Sequence, residues 1–93
     1  VFEYFLQEEL EALFSHIGEA LVPAAIVVVE TIGSDHDLDS EKDSLIYGRE
    51  MSFSHNYPHL FREAGFTIEH QSERPGLPED GGGRWIRVLA VKN

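Results

Sequence analysis

The chain has 93 residues, seventeen acidic against seven basic, for a formal charge of -10, and it has no cysteine. Chains of this size bury only roughly 60–65% of the surface they expose when unfolded, so 1–93 is read as a single domain with a thin core. The charge argues against nucleic acid and anionic membranes as partners, and the missing cysteine excludes disulfides and thiolate chemistry. No basic-then-apolar leader opens the chain and no apolar run is long enough to span a bilayer, so a cytoplasmic protein is expected. Val1, where a Met would begin a nascent chain, suggests a piece or a processed product.

Leu6, Leu10, Leu13, Phe14, Ile17 and Leu21 trace one helical face, which predicts an amphipathic helix over 4–21 stopped near Pro23. Glu8, Glu9, Glu11 and Glu19 fall mostly on the opposite, solvated side. The β-branched run within Ala25–Ile32 is continuous rather than alternating, which suits a parallel strand covered on both faces. Gly33–Ser44 is polar and acidic and reads as a solvated loop, while Leu45–Phe53 is ambiguous between a short helix and irregular structure.

Next comes His55-Asn-Tyr-Pro-His-Leu-Phe-Arg-Glu-Ala-Gly-Phe66, a helix with both ends specified. Pro58 suits its first turn, where a missing N–H costs nothing, and Asn56 suits the cap. Gly65 stands where a left-handed residue ends the helix, and Leu60, Phe61 and Ala64 share a face. Phe66–Gln71 then alternates as a half-covered strand does. Arg74–Gly83, with two prolines and four glycines, reads as a mobile loop. Arg84–Lys92 is apolar on both faces apart from Arg87 and reads as a buried central strand.

A short helix ending in Arg62-Glu-Ala-Gly-Phe66, set between an apolar strand and a terminal strand pair, resembles the C-terminal half of class I S-adenosylmethionine-dependent methyltransferases. In that family the last three of seven strands lie in the order five, seven, six, with the seventh antiparallel. The resemblance makes Ala25–Ile32 strand five, Phe66–Gln71 strand six and Arg84–Lys92 strand seven. The implied fold is α/β, a partial Rossmann-like methyltransferase fold whose three-stranded mixed sheet is flanked by helices. The family closes the preceding helix with Leu-x-Pro-Gly-Gly; here Leu21-Val-Pro23 is followed by Ala24-Ala25.

The resemblance implies methyl transfer to a small-molecule acceptor, with this segment supplying the substrate side of the cleft. The family holds its cofactor by a glycine-rich loop after strand one and an acidic residue after strand two, and both would precede Val1, so no cofactor-binding residue is expected here. S-adenosyl-L-methionine would bind only the intact enzyme, and the isolated segment is expected to be inactive. Gly81–Gly83 sits in a strand connection rather than between a strand and a helix, so it is not read as a phosphate or cofactor cradle.

Methyl transfer from a sulfonium is an in-line displacement that needs alignment, and a base where the acceptor must lose a proton. His55, just before the helix, is the candidate catalytic base. Glu30, Tyr47, Arg49, Phe53, Asn56 and Tyr57 are the candidate substrate-binding residues, with Arg49 suited to an anionic group and Glu30 to an amine. His55 and Asn56 also have an architectural reading as helix caps.

No metal site is expected. Asp35-His-Asp-Leu-Asp39 resembles a calcium loop, but Ser40 replaces the turn glycine and Ile46 the bidentate glutamate. His55 and His59 flank a proline with no carboxylate partner, which does not make a zinc site. If residues 1–93 are all there is, strand Ala25–Ile32 has an unpaired edge. A missing N-terminal half, a second chain or a homodimer would cover it. The alternative to an enzyme is an α/β interaction module, or an inactive methyltransferase-like subunit, pairing through that edge.

Overall fold

The computed structural model describes residues 2–47, 52–76 and 83–93. A 3-10 turn at Phe2–Tyr4 leads into α1, Gln7–Ala20, and then β1, Ala24–Ile32. Two short strands follow, β2 at Leu45–Tyr47 and β3 at Ser52–Ser54, then α2 at Tyr57–Glu63, β4 at Thr67–Pro75 and β5 at Arg84–Lys92.

Helix α1 starts where the Glu9 carboxylate accepts the amide of Leu6, satisfying one of the free donors at the helix start. Leu10 and Phe14 are buried and Leu13 and Ile17 pack beside them. The expected stripe is trimmed at both ends: Leu6 and Leu21 lie outside the helix and are exposed. In α2, Asn56 Oδ1 accepts the amide of His59 at 3.2 Å, and Pro58 occupies the first turn. The helix is left through Gly65 at φ 90°, a conformation that disfavours any side chain.

β5 lies between β1 and β4 and is antiparallel to both, with Val28 opposite Val88 and Gln71 opposite Val88 from the other side. Every pairing among the described residues is therefore antiparallel, and the sheet is not the mixed one expected. β1 and β4 run in the same direction, each paired with β5 and not with the other. The parallel pairs that define a Rossmann-like sheet are absent from the described residues, so what stands is an α/β unit with a three-stranded antiparallel sheet and two helices.

The core lies on one face of this sheet. Val28 and Ile32 of β1 and Ile86, Val88 and Ala90 of β5 meet Leu10 and Phe14 of α1 and Tyr57, Leu60 and Phe61 of α2. Phe14 stacks on Phe61 with centroids 4.3 Å apart, which locks the two helices together. The other face is open: Val27 is 64% exposed and Val29 49%. This corrects the two-sided burial read from the β-branched run, because antiparallel pairing leaves one face free to meet water.

Two further boundaries move. Leu45–Phe53, ambiguous in sequence, supplies the β2–β3 pair. β4 extends to Pro75, and Gly76 donates to Gly83 at 2.8 Å, so strand pairing reaches into what reads as loop. β4 also carries an irregularity between Ile68 and His70, leaving Glu69 as the extra residue.

Candidate functional site

Of the residues singled out in the sequence, Glu30, Phe53, His55 and Tyr57 lie where the end of β1, the β3–α2 junction and the N-terminal 3-10 turn meet. Glu30 of β1 accepts the amide of Phe2 at 3.0 Å, and next to it Thr31 donates its hydroxyl to Glu3 at 2.9 Å. The Phe2 ring packs against Phe5, Phe14 and Tyr57. The 3-10 turn is thus tied to the strand end by two carboxylates and to the core by one ring. Phe2 and Glu3 were not anticipated from sequence, and only the aromatic density of Phe2-Glu-Tyr-Phe5 hints that this stretch packs inward.

His55 is fully buried. Its Nε2 faces the Phe2 carbonyl at 3.0 Å, an acceptor only, so that nitrogen carries the proton. Nδ1 then accepts the Ser44 hydroxyl at 2.6 Å. Burial holds the imidazole below its usual value, against the opposing pull of the Phe2 carbonyl. The ring is neutral, saturated and out of reach of solvent. In this arrangement it joins the 3-10 turn, the acidic loop and α2 rather than presenting a free base.

Asn56 is also committed to architecture. Besides capping α2, its Nδ2 donates to the carbonyls of Leu38 at 2.9 Å and Glu41 at 3.1 Å. Tyr57 is buried, and its hydroxyl has no hydrogen-bond partner among the described residues. Burial first, and then the charges of Glu30 and Glu3, raise its pKa far above the usual tyrosine value, so it remains a phenol. Phe53 is half-buried with its ring 5.8 Å from that of His55. Tyr47 is placed by its backbone opposite Ser52, and Arg49 lies outside the described residues.

A second buried histidine escapes the sequence reading. The acidic segment 33–44 is not wholly a solvated face, because His36 is buried within it. Its Nε2 faces the Glu41 carbonyl at 2.8 Å and its Nδ1 the Ser54 hydroxyl at 2.7 Å, while Ser54 accepts the amide of Gly33 at 2.8 Å. The carboxylates stay outside through a local turn: Asp37 accepts from the Asp39 amide and the Ser40 hydroxyl. Those bonds, the Ser40 hydroxyl foremost, lower the Asp37 pKa. Arg84 clamps the same segment from β5, donating to the carbonyls of Gly33 and His36 and pairing with Glu73.

A serine hydroxyl within hydrogen-bond distance of an imidazole is the geometry of an activated nucleophile. Neither pair has the access that role requires. Ser54 and His36 are both 1% exposed, and the Gly33 amide already occupies the Ser54 oxygen. The depression beside them, about 140 Å³, is lined by Gly33, Asp35, Ile46 and these same side chains.

S-adenosylmethionine is the cofactor that the resemblance implies. A glycine-rich turn between a strand and a helix is needed to aim amides at such a ligand, and the one strand-to-helix junction among them, Ser54-His-Asn-Tyr57, has no glycine and is closed by the Asn56 cap. Among the described residues no group of three or more His, Asp or Glu side chains is placed to hold a metal ion. No helix among them is long and apolar enough to cross a membrane. Comparison of the chain with known protein families, with curated proteins and with solved structures finds no match.

Proposed function

We propose that this chain is the acceptor-side part of a class I S-adenosylmethionine-dependent methyltransferase acting on a small molecule, with the cofactor held by polypeptide outside these residues. The observation that carries the reading is the placement of β5, antiparallel between two strands that run the same way and are linked through α2. Three strands so arranged suit the closing part of a larger sheet extended at the β1 edge. Within this reading Glu30 and Glu3 lie where an acceptor approaches, at the C-terminal end of β1, with the Tyr57 phenol behind them. His55 positions that wall from beneath.

Calorimetric titration with S-adenosylmethionine tests this. The 93-residue chain should give no heat of binding, and the same chain joined to the polypeptide encoded before Val1 should bind. Micromolar affinity of the chain alone, or an upstream reading frame with no glycine-rich strand–loop–helix, would overturn the proposal.

The non-enzymatic reading, an α/β module that works by association, is favoured by a separate observation. β1 is an edge strand whose outer face exposes Val27 and Val29.

A further inference from the structure

The helix-free face of the sheet differs in charge from the rest of the molecule. Its outward strand positions hold Val27 and Val29 of β1 with Trp85, Leu89 and Val91 of β5, an apolar band across both strands. Arg87, opposite Val29 and Ser72, interrupts that band on the central strand between Trp85 and Leu89, and Arg74, opposite Trp85, lies on its β4 side. Among the described residues neither arginine has a hydrogen-bond or ion-pair partner, in a chain that carries seventeen carboxylates. The outward positions in register with these residues contain no carboxylate; Glu3 reaches only the rim, at Thr31. Val29, Ser72, Arg74, Trp85 and Arg87 line a depression of about 220 Å³ here, together with Ile86 and with Glu73, whose carboxylate is paired with Arg84.

We infer that this face is a docking site for an amphipathic helix carrying acidic residues beside its apolar stripe. An apolar band that unpaired arginines interrupt and border matches an apolar stripe with carboxylates beside it. The dimensions fit a single helix. Nine-residue strands at about 3.3 Å per residue give a face roughly 30 Å long, and three strands about 4.8 Å apart make it about as wide as one helix. At 1.5 Å per residue, about 20 helical residues span that length. A second copy packed face to face fits poorly, because it would bring Arg74 and Arg87 against their own kind with no carboxylate between them. The inference rests on the sheet alone and holds under either reading above.

Trp85 is the single tryptophan of the chain, so its fluorescence reports this face directly. The probe is a synthetic helical peptide of about 20 residues with a leucine stripe flanked by glutamates, compared with the same peptide flanked by lysines. The glutamate peptide should shift Trp85 emission to the blue with saturation and bind at least tenfold more tightly than the lysine peptide. In the Arg74→Glu, Arg87→Glu double variant, checked for folding by circular dichroism, the order of the two peptides should reverse.

No saturable shift with the glutamate peptide, equal affinity for both peptides, or an unchanged order in a folded double variant overturns the inference. So does a Trp85 shift that grows with the concentration of the chain alone, which would make a second copy the occupant. If the double variant does not fold, the comparison of the two peptides on the parent chain decides. Absence of cofactor binding in the calorimetric test leaves this result untouched, so the two proposals fail separately.

Discussion

Replacing His55 by alanine should damage the fold first. The ring is fully buried and bridges Ser44 Oγ and the Phe2 carbonyl. Its removal leaves both partners unpaired at roughly 1–3 kcal/mol each, and the ring's packing against Phe53 and Tyr57 is lost as well. The expected total is about 3–5 kcal/mol, against roughly 5–14 kcal/mol for the whole stability of a 93-residue chain. Urea denaturation at neutral pH measures it. The same ring predicts a pH dependence. Because the folded ring resists protonation while the unfolded one takes a proton near the usual 6.5, the unfolded state binds more protons below that pH. Stability therefore falls as pH drops from 6.5, by at most about 1.4 kcal/mol per unit, until the folded ring itself protonates. The lowered Asp37 carboxyl acts only below its usual 3.8, so between about pH 5 and 6.5 the two do not overlap. In His55→Ala this part of the slope should disappear. A loss under about 1 kcal/mol together with an unchanged slope would refute the reasoning.

Tyr57→Phe keeps the ring and removes a buried hydroxyl without a partner, so thermal unfolding should show stability unchanged or raised by up to about 1 kcal/mol. A loss larger than that would mean that the hydroxyl is hydrogen-bonded in solution. Asn56→Ala should cost about 1–3 kcal/mol by urea unfolding, from the α2 cap and the carbonyls of Leu38 and Glu41. Asn56→Asp retains the cap acceptor but not the two donors, so it should be no more stable than the alanine variant. Recovery by aspartate would mean that capping alone matters.

What the sequence made legible was local. The ends of α2 follow from Asn56, Pro58 and Gly65, whose backbone and side-chain preferences act within one turn, and each stands in its expected role. The strands at 24–32 and 84–92 follow from apolar runs bounded by turn residues. Coverage was not legible. A β-branched run marks a strand, but whether Val27 and Val29 meet a helix or water depends on elements far away in sequence. The same holds for the polar residues. Composition places 33–44 in solvent, yet the turn around Asp37 turns the carboxylates outward and leaves His36 inside, under the Arg84 clamp. Nor does anything near Phe2 signal that its amide returns to Glu30 and its carbonyl to His55.

These contacts bear on how a methyl acceptor would be handled. To expose His55 as a base, the Phe2–Tyr4 turn must leave, which breaks the His55–Phe2 and Phe2–Glu30 bonds, frees Thr31 from Glu3 and pulls the Phe2 ring from Phe5, Phe14 and Tyr57 in one event. That event uncovers a core face that contributes to the stability of a small chain, and it frees an imidazole whose burial had held it neutral. Glu3 and Glu30 ask for no such opening. Both are part-exposed at the strand end, and their charges act on a Tyr57 phenol that stays protonated. A cationic acceptor would meet two carboxylates there without disturbing the core. Under the methyltransferase reading, recognition by charge at the end of β1 therefore costs less than proton abstraction by His55, and the histidine serves by holding the 3-10 turn that carries Glu3 in place.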